Sequence, residues 1–323
     1  MKKRTFIDRI KLLWKLLKGC RRPDCVIGTP ETDNLLSSKT FFSTMTDLEI
    51  ARHLPGLLDG LDPESTETVI RYLTLLSCCM RFHDNLILNC KNPNFSPEDF
   101  QAMKQEIARK TKLPERFIFP EVFYFHMGFS YMPAKAAEYV RNKVFIDCGT
   151  FIGDSVLAML DYSPSKVIAI DVSPQAAELF YKTLKDNSVE DKAELILSGI
   201  SDQKESFMFE DDIEKGTSLN NSGDTPVSSD TLDNLCAKYA DIGFIKADIE
   251  GFGYKMAAGM TEILKRDRPV LSLAIYHNTE EFFKIKPFLE SLSLDYRFKI
   301  VPSTLHYGGE IYLLAYPQEL DAV

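Results

Sequence analysis

From Lys143 onward the chain alternates two hydrophobic periods, and this restricts its fold more than any other feature. Short runs rich in β-branched and aromatic residues are VFID (144–147), VIAID (167–171), AELILSG (193–199), SFMFE (206–210), IGFIKAD (242–248), VLSLAIYH (270–277), RFKIVPS (297–303) and EIYLLAY (310–316). Helical patterns lie between them, near 153–161, 174–187, 231–239, 253–266 and 280–291. Such alternation predicts an α/β fold, a mostly parallel sheet with helices on both faces. Only residues 304–309 join the last two runs. That is too short for a crossover, so these two are expected to pair antiparallel as a terminal hairpin. The reading is seven principal strands.

Before Lys143 the texture is helical. Asp47 is positioned to cap a helix reaching about Leu58. Asp62-Pro63 opens a stronger one, with Val69, Leu73, Leu76 and Met80 on a single stripe. Ser96-Pro97-Glu98 starts another that runs to about Lys110. Residues 28–40 are polar and turn-rich, a linker pattern, and the aromatic stretch 117–131 reads as core contact. The chain therefore divides into a basic amphipathic segment (1–22), an α-helical region (23–140) expected to cap a site, and an α/β domain (141–323).

Charge sharpens this division. Residues 1–22 hold nine Lys or Arg against Asp8 alone; the whole chain carries −9, so residues 23–323 carry −17. Phe6, Ile10, Leu13, Trp14 and Leu17 recur at helical spacing among the lysines. That pattern fits a helix lying on an anionic leaflet, one packed on the protein's own core, or one docked on an acidic partner. The acidic total and a pI near 5.2 argue against nucleic acid as partner. Seven cysteines without a CxxC pair argue against a zinc ribbon and for a reducing, cytoplasmic setting.

Chemistry concentrates where strands end. The first strand closes on Asp147-Cys148-Gly149-Thr150-Phe151-Ile152-Gly153-Asp154. Glycines there let backbone turn tightly and approach a ligand, beside the free N–H groups of a helix start. Asp171, at the end of the second strand, stands where an acid can accept both hydroxyls of a ribose. Lys246, Asp248 and Glu250 alternate at the end of the fourth strand and are expected to share a face at the switch point of the sheet. The fifth strand ends in Tyr276-His277-Asn278. His277 is the general-base candidate by residue type, and His306 lies in the final hairpin loop.

The stretches FIDCGTFIGDS, KVIAIDVSP, SSDTLDNL, IGFIKADIEGFGYKMAAGM, RPVLSLAIYH and GEIYLLAY, in this order and spacing, resemble the FkbM family of S-adenosylmethionine (SAM)-dependent methyltransferases. The resemblance spans about Lys143 to Pro317. It departs from the family pattern at Gly253-Tyr254, where an acid is usual, and at Asp171, which stands in place of Glu-Pro. It implies a Rossmann-like seven-stranded methyltransferase sheet and transfer of a methyl group to a hydroxyl of a sugar, glycan or secondary metabolite. By the same resemblance Asp147, Gly149, Gly153 and Asp154 would line the methionine and ribose side, Asp171 would hold the ribose, and Asp202 would reach the adenine edge. Lys246, Asp248, Glu250 and His277 would form the acceptor side. The acceptor proton would go to His277, or a Mg²⁺ or Mn²⁺ ion on Asp248, Glu250 and Asn278 would acidify the hydroxyl.

Two other functions share this fold class: an NAD-dependent oxidoreductase and a non-catalytic nucleoside-binding module. Lack of GxGxxG counts against the first, and intact Asp147, Gly149, Asp171, Asp248 and Glu250 count against the second. The partners expected are thus a small-molecule or glycan acceptor and, through residues 1–22, the inner membrane surface.

Overall fold

The computed structural model describes residues 25–28, 45–81, 87–90, 96–209, 225–303 and 310–321. The basic segment 1–22, nearly all of the expected linker and His306 lie outside them. Strands β1 (Cys25–Gly28) and β2 (Ile87–Cys90) pair antiparallel, a strand pair the helical reading of this region did not anticipate. The main sheet comprises β3 (Val144–Cys148), β4 (Lys166–Asp171), β5 (Ala193–Leu197), β9 (Ile242–Ala247), β10 (Val270–Ala274), β11 (Tyr296–Pro302) and β12 (Ile311–Pro317). Strands β6 (Gly199–Ile200), β7 (Glu205–Phe209) and β8 (Thr225–Asp230) form a separate small sheet.

Strand order in the main sheet is β11-β12-β10-β9-β3-β4-β5. The five strands from β10 to β5 run parallel, and β12 inserts antiparallel between β10 and β11. The expected seven strands and antiparallel terminal hairpin are therefore present. SFMFE is not among the seven: it lies in β7, which pairs with β8. Its exposure alternates along the strand, whereas β9 and β10 are buried on both faces, as central parallel strands must be.

Helix starts follow local capping chemistry. Thr46, one residue before the expected Asp47, forms a capping box with Glu49 and starts helix Asp47–Leu58. Asp62 accepts from the Ser65 N–H at 2.7 Å at the start of helix Pro63–Arg81. Ser96 and Asp99 form a second capping box at helix Pro97–Lys110.

These helices do not form a separate cover. Leu54, Leu57, Val69, Tyr72 and Leu76 bury against one face of the sheet together with helix Thr279–Ser291. Met103, Phe123, Phe129, Ala136 and Val140 bury against the other face with helix Pro174–Asp186. Neighbours Phe145 and Ile146 on β3 point into opposite layers, the two-fold period of a strand read directly. Among the described residues no helix is long and apolar enough to cross a membrane.

One buried cation fastens helix Asp47–Leu58 to helix Thr279–Ser291. Lys286 is 1% exposed; its ammonium donates to the Asp59 carbonyl at 2.6 Å and pairs with Glu290 at 2.6 Å. It thereby satisfies the C-terminal end of helix Asp47–Leu58, where a cation also suits the helix dipole. Lys286→Ala should destabilise the fold by roughly 2–4 kcal/mol, since it strips the charge partner and leaves carbonyls buried without a donor. Urea unfolding followed by circular dichroism measures this, and an unchanged midpoint would show that the clamp contributes nothing.

Candidate active site

The turn after β3 is held from beneath by a buried ionic cluster. Asp147 is fully buried and accepts from Thr150 Oγ1 at 2.8 Å and from the Ser155 hydroxyl. Lys246, on the adjacent strand β9, places its Nζ 3.1 Å from Asp147 Oδ1 and donates to the Gly149 carbonyl at 2.6 Å. Burial opposes a charge on Lys246, but Asp147 and Asp248 override it and keep the ammonium protonated. Asp147 and Lys246 thus shape the turn from inside.

Gly149 has φ +73, and a Cβ there would collide with the Asp248 carbonyl oxygen. The glycine turn and the loop after β9 are therefore in backbone contact. Asp171 closes the other side: its carboxylate accepts from the Phe151 N–H at 2.9 Å and the Ser173 N–H at 3.0 Å. Burial raises its pKa, and those backbone donors oppose the rise. Gly153 is also left-handed, with φ +84. Asp154 is buried beside Asp147, and burial pushes its pKa up to about 7. Asp202 is exposed and takes a hydrogen bond from Ser201 Oγ at 3.1 Å.

At the rim, Asp248 gathers donors from two neighbouring strands. His277 Nε2 lies 3.1 Å from Oδ1, Tyr312 donates to Oδ2 at 3.2 Å, and the Tyr276 hydroxyl is 3.3 Å from Oδ2. Burial would raise the Asp248 pKa, but His277, Lys246 and Tyr312 hold it down to about 2. The other side of the imidazole faces Glu281, with Nδ1 3.0 Å from Oε2. Burial disfavours an imidazolium, yet Asp248 and Glu281 raise the His277 pKa well above its ordinary value. Glu310 joins from the start of β12, 3.4 Å from the Tyr312 hydroxyl, and burial raises its pKa strongly. Glu121, from helix Pro120–Phe123, is pushed up to about 8 by burial, with Asp154 and Asp248 adding to the rise.

Three sequence expectations change here. His277 sits between two carboxylates and keeps its proton, so it is not a free base near its reference pKa. Lys246, Asp248 and Glu250 do not continue as one extended face: β9 ends at Ala247, and Glu250 is left-handed with φ 52. Lys246 accordingly serves Asp147, Asp248 serves His277, and Glu250 is half-exposed, 3.7 Å from His277 Nε2. Asn278 is not free to ligate a metal with Asp248 and Glu250. Its Oδ1 caps helix Thr279–Ser291 through the Glu281 N–H, and its Nδ2 donates to the Gly251 carbonyl. Among the described residues no three His, Cys, Asp or Glu are grouped to hold a metal ion.

Sequence reasoning missed Glu281, Tyr312, Glu310 and Glu121. Only Glu281 left a local signal, standing four residues after His277 at a helix start, within side-chain reach. The others approach Asp248 from distant parts of the chain.

Residues 147–299 match the family described as Methyltransferase FkbM domain. The solved methyltransferase FkbM from Methylobacillus flagellatus KT superposes with a TM-score of 0.56 at 17% identity, over 83% of this chain and 60% of that one. The chain thus spans about 60% of that relative's length. The O-methyltransferase TomG from Streptomyces achromogenes, involved in tomaymycin synthesis and solved with SAM, has a TM-score of 0.40 at 12% identity, over 69% of this chain and 91% of that one. No curated protein matches.

The buried pair beneath the turn makes a direct prediction. Lys246→Met leaves Asp147 charged, buried and without its counter-ion, a loss of about 3–5 kcal/mol. Chemical denaturation should show it; a variant as stable as the parent would mean that Asp147 is held by its hydroxyl donors alone.

Proposed function

We propose that this chain, whose residues 147–299 match the Methyltransferase FkbM domain, is a SAM-dependent O-methyltransferase acting on a hydroxyl of a sugar, glycan or secondary metabolite. One observation carries the reading: the glycine turn at 149 and the Asp248 loop touch through their backbones. A nucleoside-binding rim and an acid–imidazole site are therefore one continuous surface.

The residues fit SAM. Asp171 presents a carboxylate already fixed by two backbone donors, suited to a ribose diol. Gly149 lacks the side chain that would fill the turn. When bound, SAM supplies an electrophilic methyl group on a positively charged sulfur. The residues do not fit the divalent-metal alternative, because Asn278 is committed to capping, and no step is assigned to a metal.

On the acceptor side the chain must align a hydroxyl and accept its proton. Asp248 suits both tasks. Its carboxylate is ionised and held in place by His277, Tyr276 and Tyr312. A pKa of about 2 makes it a weak base. That suffices, because the hydroxyl oxygen becomes strongly acidic as its new bond to carbon forms. Protonated His277 then acts as an electrostatic partner of Asp248. A carboxylate with hydroxyl neighbours also suits a polyhydroxylated acceptor, whose remaining hydroxyls find donors and acceptors on Tyr276, Tyr312 and Glu310.

The basic, apolar-striped segment 1–22 supports peripheral attachment to an anionic inner leaflet, where a lipid-linked glycan would be at hand. Full-length protein should co-sediment with vesicles containing phosphatidylserine, less so as salt rises, and a chain starting at Pro23 should not. Sedimentation of neither removes the membrane role.

Asp171→Ala should weaken SAM binding at least about tenfold in calorimetry, through loss of hydrogen bonds to a charged acceptor. NAD bound in preference to SAM, or unchanged SAM affinity, would overturn the cofactor assignment. Asp248→Asn and His277→Ala should lower turnover on a glycan or metabolite acceptor with a free hydroxyl by roughly a hundredfold or more while SAM affinity holds. Near-normal turnover in both would remove the acceptor site from this rim.

A further inference from the structure

The end of helix Thr279–Ser291 nearest the rim is fastened to it by a side chain that the methyl-transfer reading leaves without a task. Glu281 is 1% exposed, so its carboxylate must spend its oxygens on partners inside the protein. Oε1 accepts from the Gly253 N–H at 2.8 Å, at the start of the short helix Gly253–Ala258 that follows the loop after β9. Oε2 lies 3.0 Å from His277 Nδ1. The same helix turn adds a second stitch, as Asn278 Nδ2 donates to the Gly251 carbonyl at 2.8 Å and Asn278 Oδ1 accepts from the Glu281 backbone N–H at 2.9 Å.

Gly253 belongs to this arrangement. A Cβ at 253 would lie 2.7 Å from Glu281 Oε1. The space a side chain would take is filled by a carboxylate delivered from the next helix. Position 253 therefore has a steric reason to be glycine, independent of any left-handed turn.

We infer that Glu281 is the positioning residue of the acceptor rim: it holds the His277 ring so that Nε2 faces Asp248, and it ties that ring to the loop carrying Asp248. The inference rests on the reading of Asp248 and His277 as the acceptor site, but its physical content concerns the ring alone. A carboxylate at Nδ1 fixes which nitrogen faces which partner, as orienting carboxylates do beside functional imidazoles. Glutamine at 281 could still accept from Gly253 through its amide oxygen. It could not also offer Nδ1 an anionic oxygen. Glu281→Gln thus separates the orienting role from the loop contact.

The test is nuclear magnetic resonance of the full chain labelled with ¹⁵N-histidine, which contains five histidines. His277→Ala assigns the signal. The parent should show a His277 Nδ1–H proton well downfield of the other ring protons, the mark of a charge-assisted hydrogen bond. Glu281→Gln should move that proton back toward the ordinary range while SAM affinity stays within about twofold and the melting temperature changes little. Gly253→Ala crowds the carboxylate without removing it, and should shift the same signal in the same direction. Glu281→Asp, which shortens the side chain but keeps its charge, should restore part of the downfield shift. A parent ring without the downfield proton would overturn the inference. So would a Glu281→Gln ring identical to the parent's. If the ring responds as expected but Asp248→Asn and His277→Ala leave turnover intact, the positioning stands and the methyl-transfer site is the reading that fails.

Discussion

The rim depends on the ion pair between Lys246 and Asp147. Its two members lie on neighbouring strands, β9 and β3, just below the loops where ligands would meet. Asp147 gathers Thr150 and Ser155 from its own turn, and Lys246 holds the Gly149 carbonyl of that turn from the next strand. Such a pair gains little net stability over apolar side chains, because both charges must first leave water. What it fixes here is register. The turn after β3 can take one position relative to β9, and Gly149 then lies against Asp248 with no room for a side chain.

Burial then sorts the carboxylates above that pair into two kinds. Asp248 stays ionised because His277, Lys246 and Tyr312 surround it with donors and positive charge. Glu121, Asp154 and Glu310 lack comparable help, and burial pushes them toward the neutral acid. The cluster around Asp248 therefore carries less negative charge than its composition suggests, since burial moves Glu121, Asp154 and Glu310 toward the neutral acid. Neutral carboxylic acids can donate hydrogen bonds as well as accept them, so this wall can address an uncharged, oxygen-rich molecule without repelling it.

The central strands were legible because full burial writes itself as continuous apolar runs, and the starts of helices Pro63–Arg81 and Pro97–Lys110 were legible because capping is local chemistry. Gly149 and Asp171 were legible for a similar reason: a βα turn and the acid about twenty residues later belong to one supersecondary unit. The antiparallel pair β1–β2 was not, since its halves lie some sixty residues apart. Nor were Tyr312 and Glu310, whose approach to Asp248 is a product of strand order, with β12 inserted beside β10, or Glu121, which comes from helix Pro120–Phe123. Gly253 shows the limit most clearly. Against the family pattern it looks like a missing acid, and only the packing of the next helix reveals a carboxylate from Glu281 in the vacated space.

The placement of helices Asp47–Leu58 and Pro63–Arg81 has a consequence for how the chain can be divided. Their apolar faces share one core with Phe282, Phe283, Leu289 and Ile300 of the sheet layer, and Ser65 accepts the Ile300 N–H at 3.0 Å. Tyr72 stacks on Phe282, with ring centroids 5.5 Å apart. A fragment beginning at residue 141 would keep every strand of the main sheet yet expose that whole surface to water. The boundary visible in the texture of the sequence is therefore not a place to cut. Recombination that grafted the α/β segment elsewhere would have to carry these helices with it, or supply an equivalent apolar cover.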